Sequence, residues 1–230
     1  MFEKAEVLDR EKHASLRFKP VTDFRFMRSV IGGPVASSEM RKAAREYPIV
    51  FPTVGRHLPL AQFGVHEKMN AFVDADNKWL GEYIPAHVRR YPFVLGDKGN
   101  GTDFFVMADL RGLSSDSTAE ALFGKKDAEG AAEQDVVERA TEFLVNFEQE
   151  LLATQALVEP LYEKDVLVAK TVTLQKPGMN DARVSGFQIV DRDRLRALDD
   201  VTIAAWERSG LLDLVSLHLA SQENWVRLLR

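Results

Sequence analysis

Two adjacent guanidiniums, an imidazole and a phenol fall within one short run of this 230-residue chain: His87, Arg89, Arg90 and Tyr91. A guanidinium is planar and presents paired N–H donors, so it suits a carboxylate or a phosphate. A neighbouring imidazole titrates near neutral pH and can hold or move a proton. The group is therefore a candidate site for a small anionic ligand, or for an enzyme acting on one. The alternative is architectural. One arginine stacks on an aromatic ring or pairs with an acid such as Glu82, and the other caps helix carbonyls.

Other chemistry is thinly represented. The histidines are His13, His57, His66, His87 and His218, and no two stand at metal-ligand spacing. Three of them lie between Arg56 and Arg89, near Glu67 and Glu82, so only tertiary folding can assemble a His/carboxylate site there. Gly96, Gly99 and Gly101 lack the following helix and the spacing of a dinucleotide loop. No phosphate-binding loop and no nucleophile elbow occur. The turn Asp74 to Asn77 has part of a calcium loop but lacks its glycine and distal glutamate. No motif requires a cofactor or a metal. With no cysteine, disulfides and thiolate chemistry are excluded.

The elements that position the arginines follow from two prolines. Pro85 suits the first turn of a helix, and Pro92 disfavours helix at Tyr91. The spacing predicts a helix of six residues, Pro85 to Arg90, with His87 and Tyr91 meeting at its end. Arg89 and Arg90 then project ~100° apart, so both cannot lie on one face.

Upstream, alternation predicts strands over His13–Phe18, Leu58–Gly64, Asn70–Val73 and Lys78–Tyr83. Val35 to Glu46 reads as a helix capped by Ser37 or Ser38. Tyr47 to Val54, with prolines inside it, reads as an extended segment entering a sheet. Thr102 to Ala108 reads as a strand.

Downstream, Leu110 to Gln134 is polar and acidic and reads as a loop. Asp135 caps a helix over 136–157, whose stripe of Val136, Ala140, Phe143, Phe147 and Leu151 must face a core. Pro160 ends it. Strands follow at Val166–Leu174 and Val184–Val190 around a KPGMND turn. A helix capped by Asp191 or Asp193 then runs through Trp206 to Gly210. Leu212 to Ala220 fits strand or helix, and Ser221 caps a last helix carrying Trp225. The sum is an α+β fold: a largely antiparallel sheet from the N-terminal half with packed helices from the C-terminal half. The expectation is one domain over residues 1–230, with 112–134 as the place for any sub-boundary.

Composition narrows the function classes. The net charge is −5, which disfavours general nucleic-acid binding because phosphates require a concentrated basic face. Residues 1–50 hold ten Lys/Arg against seven Asp/Glu, and residues 114–165 hold four against thirteen. The acidic stretch is either a solvated helix face with its loop or a docking surface for a basic partner. No window approaches the ~20 apolar residues of a membrane span, which excludes a permease. The N-terminus has no apolar signal region, so the expected location is cytoplasmic, with association at the cell envelope left open.

Four blocks carry a family resemblance. They are YPIVF at Tyr47–Phe51, NAFVD with WxxxYIPAxVRRYPF across Asn70–Phe93, GFxIVDxxxLxxL at Gly186–Leu198, and LHLASxENW at Leu217–Trp225. Together they resemble the SapC family of bacterial proteins, named for an association with surface-layer (S-layer) arrays. The resemblance implies no established catalytic residues. It implies an accessory or binding protein, non-catalytic, linked to surface-layer or outer-membrane peptide and protein processing, with an unidentified protein partner. The second expectation is an enzyme or small-anion-binding protein with a site at His87, Arg89, Arg90 and Tyr91. A cavity joining those side chains favours the second.

Overall fold

A computed structural model describes residues 1–66, 69–97, 104–124, 135–175 and 181–229. Most of the glycine-rich turn after Gly96, most of the KPGMND turn, Glu67 and residues 125–134 lie outside the described residues. The protein is α+β, and its sheets are antiparallel throughout. The chain divides into two compact units: Met1–Thr22 with Ala86–Glu148, and Asp23–Pro85 with Gln149–Arg230.

The first unit is built on a three-stranded sheet. Phe104–Asp109 lies between Ala5–Val7 and Phe93–Asp97. A two-stranded ribbon pairs Glu120–Ala121 with Arg17–Phe18. The strand expected from His13 therefore shrinks to its last two residues. Ala86–Arg89 forms the expected short helix. The unit's core gathers Phe93, Ala108, Leu122, Val136 and Leu144, with Phe18, Ala140 and Phe143 packed around them.

Asp135 begins the long helix Val136–Glu163 with a reciprocal cap. Glu138 N–H donates to Asp135 Oδ1 at 2.9 Å, and Asp135 N–H donates to Glu138 Oε2 at 3.0 Å. Asp135 Oδ2 also accepts from Gly124 N–H and from Arg10. Asp135→Ala is expected to lower stability by about 1–2 kcal/mol, measured by urea denaturation, with Asp135→Asn losing less.

The second unit holds a five-stranded sheet in the order Leu167–Leu174, Ala182–Val190, Ile49–Pro52, Leu60–Gln62 and Gly32–Pro34. Ile49, Val50 and Phe51 are buried, as the extended segment required. The two strands supplied by the C-terminal half pair with the N-terminal ones through Phe187–Pro52 and Gln188–Phe51. Tyr47, Phe63, Phe72 and Trp79 form an aromatic cluster with ring centroids 4.6–6.5 Å apart.

Several elements differ from their expected form. The long helix continues past Pro160 to Glu163. Proline withholds one N–H, but Val158 and Leu161 are fully buried, and that burial keeps the last turn helical. Ser37–Glu39 is a 3-10 turn before the short helix Met40–Ala43, and neither serine caps it. Glu39 instead accepts from Ala36 N–H, while Ser38 donates to Glu150. Lys78–Tyr83 is not a strand: only Trp79 bridges to Val73. The helix expected after Asp191 is two helices, Arg192–Arg196 capped by Asp191 and Asp200–Ser209 capped by Asp199. The second stops at Gly210, whose φ of 80° suits glycine. Leu211–Ser221 is a helix. Ser221 does not cap the final 3-10 segment Gln222–Leu229, because its hydroxyl accepts from Ile49 N–H and donates to His218 C=O.

Candidate functional site

The run Trp79–Phe93 is shared between the units, which change after Pro85. Ala86–Phe93 belongs to the first unit and carries all four candidate residues. The short helix ends at Arg89, the Tyr91–Pro92 peptide is cis, and Phe93 enters the sheet. Arg89 is exposed, Arg90 is half-buried and Tyr91 is buried. Arg90 is therefore the arginine turned inward.

Both guanidiniums lie over rings. Arg89 sits 5.5 Å from the Phe143 centroid and Arg90 5.3 Å from that of Phe2. Phe2 in turn stacks on Tyr91, with centroids 5.9 Å apart. Arg90 Nε is buried and has no hydrogen-bond partner. Among the described residues no carboxylate forms an ion pair with Arg90, and Glu148 acts on it only through its charge. Burial pulls the Arg90 pKa below its ordinary value, and the Glu148 charge opposes that pull.

Arg89, Arg90 and Tyr91 line one cavity of about 160 Å³ that opens to solvent. Its walls are Phe18, Phe93, Val136, Ala140, Phe143 and Leu144, and Arg139 completes it. Arg139 is already engaged by Glu120 at 2.6 Å. The long helix supplies one face from residues spaced one turn apart: Val136, Arg139, Ala140, Phe143 and Leu144. Sequence periodicity assigns that stripe to a core and gives no sign that part of it faces a cavity.

His87 is not among the residues lining this cavity. Burial first, and the Arg90 charge second, push its pKa down to about 3, so the imidazole is neutral. Its Nδ1 is buried without a partner. A neutral, enclosed imidazole beside a guanidinium is a poor general acid at neutral pH. The four candidates thus separate into a lining set, Arg89, Arg90 and Tyr91, and a flanking histidine.

The second unit contains a His/carboxylate pair that sequence spacing does not reveal. His57 Nδ1 meets both oxygens of Glu159, 102 residues away, at 2.9 and 3.0 Å. Its ring stacks on Tyr162 at 3.6 Å between centroids. Burial, helped by the Glu159 charge, pushes the Tyr162 phenol up to about 12. Among the described residues no group of three or more His, Asp or Glu side chains is placed to hold a metal. No helix of the described residues is long and apolar enough to cross a membrane.

A family model described as SapC matches residues 8–228. The chain belongs to the SapC family. No curated protein and no solved structure matches this SapC chain. Membership covers both compact units, including the cavity and the His57–Glu159 pair.

Proposed function

We propose that this SapC protein is a non-catalytic accessory protein that binds a small organic anion in its first unit. The observation that carries the reading is Arg90. It is an inward-turned guanidinium with a buried, unpartnered Nε, and it lines a cavity whose other walls are mostly apolar. A half-buried cation without an ion-pair partner costs stability, and an arriving anion offsets that cost. Nothing in the cavity supplies a nucleophile with an activating base, and the nearby imidazole is neutral and enclosed. The setting is the one the family resemblance implies: a cytoplasmic protein that works with a protein partner in surface-layer or outer-membrane processing.

Thermal unfolding in the presence of organic carboxylates, nucleotides and divalent metals tests this reading. Carboxylates are expected to raise the melting temperature in proportion to ligand saturation, and metals and nucleotides to leave it unchanged. Arg89→Ala, an exposed substitution, is expected to keep the unliganded melting temperature and reduce the carboxylate shift. A screen in which no carboxylate stabilises the protein overturns the reading.

A further inference from the structure

The cavity's size, its walls and its charge together narrow the ligand further, given the anion-binding reading just proposed. An apolar cavity of ~150 Å³ holds one benzene ring. The cavity beside Arg90 is about 160 Å³. Four aromatic side chains line it, Phe18, Tyr91, Phe93 and Phe143, and these favour a flat ring that can meet them edge-on or offset. A long alkyl chain would leave part of its length outside the open mouth, and a sugar would set hydroxyls against phenylalanine.

Charge sets the other end of the molecule. Arg139 is engaged by Glu120, and the Glu148 carboxylate already acts on Arg90. A carboxylate's single negative charge is matched by Arg90; Arg89 also lines the cavity but is exposed and lies over Phe143, so a phosphate dianion would meet only one inward-turned guanidinium. The planar, two-oxygen geometry of a carboxylate fits the donors of an arginine.

We infer that the first unit binds an aryl carboxylate, its ring held among Phe18, Phe93, Ala140 and Phe143 and its carboxylate paired with Arg90. The proposal explains why apolar walls and an ion-pair-free guanidinium share one small cavity. It also assigns a role to Ala140: any larger side chain there occupies the space meant for the ring.

Fluorine NMR of 4-fluorobenzoate with the full chain tests the inference. Addition of the protein should broaden or shift the fluorine resonance, and excess unlabelled benzoate should restore it. Arg90→Met should weaken binding by about tenfold or more, as expected for loss of a charge-assisted pair. Ala140→Leu should abolish binding while circular dichroism stays that of the wild type. Competition on the wild-type protein keeps the test independent of whether either variant folds. Benzoate should displace the probe, and acetate, inorganic phosphate and benzyl alcohol should not at equal concentration. If acetate or phosphate displaces it as well as benzoate does, the aryl assignment fails and the anion site stands. If benzyl alcohol displaces it equally well, charge has no part and both the assignment and the anion-site reading fall. If fluorobenzoate shows no interaction while another carboxylate raises the melting temperature, only the aryl assignment falls; if no carboxylate binds at all, both fall.

Discussion

His218→Ala is expected to destabilise the protein by about 3–5 kcal/mol, among the largest effects of any single substitution in the second unit. The reason lies in how the five-stranded sheet ends. Phe187 pairs with Pro52 and Gln188 with Phe51, so continuing the ladder would pair Val190 with Ile49. At that rung the imidazole of His218 stands between the strands instead. Val190 N–H donates to His218 Nε2 at 3.1 Å, and His218 Nδ1 lies 2.9 Å from the Ile49 carbonyl. Because Nε2 accepts, the proton is on Nδ1, and one neutral tautomer completes the ladder from the helix Leu211–Ser221. Truncation leaves Val190 N–H without its acceptor and opens a void against Phe51, whose ring centroid is 5.0 Å away. The Ile49 carbonyl keeps Gln222 as a donor, so the loss falls mainly on the Val190 side.

The same geometry fixes the pH dependence. Burial lowers the His218 pKa from 6.5 to about 4. Between those values the unfolded chain takes up a proton that the folded protein refuses. His218 therefore costs nothing above pH ~6.5, and stability falls as the pH drops toward ~4, by about 3 kcal/mol in all. The alanine variant lacks this term. The stability gap between wild type and variant should be widest at neutral pH and should narrow steadily in acid, read from urea melts at several pH values. A gap independent of pH would mean that the imidazole is not held neutral at this rung.

The His218 rung marks a limit of sequence reading. Its partners are 28 and 169 residues away, and nothing local distinguishes a ladder-completing histidine from a solvent-facing one. The His57–Glu159 pair is hidden for the same reason. Local signals with a single physical outcome were legible. Asp135 reads as a helix cap, Pro85 and Pro92 confine a short helix between them, and the bracketed run after Tyr47 enters a sheet. The arginine pair was also legible as a candidate; its divergence shows in an exposed Arg89 and a half-buried Arg90, although both line one cavity. The cavity was not, because its far wall is a helical stripe that periodicity assigns to a core.

Lys78–Tyr83 misleads sequence reading in a way that predicts its own test. Alternation and β-propensity suit a strand, but strand formation requires a neighbouring strand to take the amides. Here the N–H groups of Glu82 and Tyr83 donate to the two oxygens of Glu46, at 2.8 and 2.7 Å. The Tyr83 carbonyl accepts from the Tyr47 hydroxyl, which itself accepts from Trp79 Nε1–H at 3.1 Å. Gly81 fits beneath this network because a Cβ there would come within 2.5 Å of the Tyr47 hydroxyl and 2.7 Å of a Glu46 oxygen. One buried carboxylate thus replaces a missing strand. Glu46→Ala is expected to cost about 2–4 kcal/mol, since it strands two amides at once, and Glu46→Gln less, since one acceptor oxygen remains. Gly81→Ala should act in the same direction by displacing the carboxylate and the phenol from the segment. Denaturation followed by tryptophan emission reports both the stability and the state of Trp79. If Glu46→Ala falls within about 0.5 kcal/mol of wild type, the segment is held by its aromatic packing alone, and the carboxylate is not what replaces the strand.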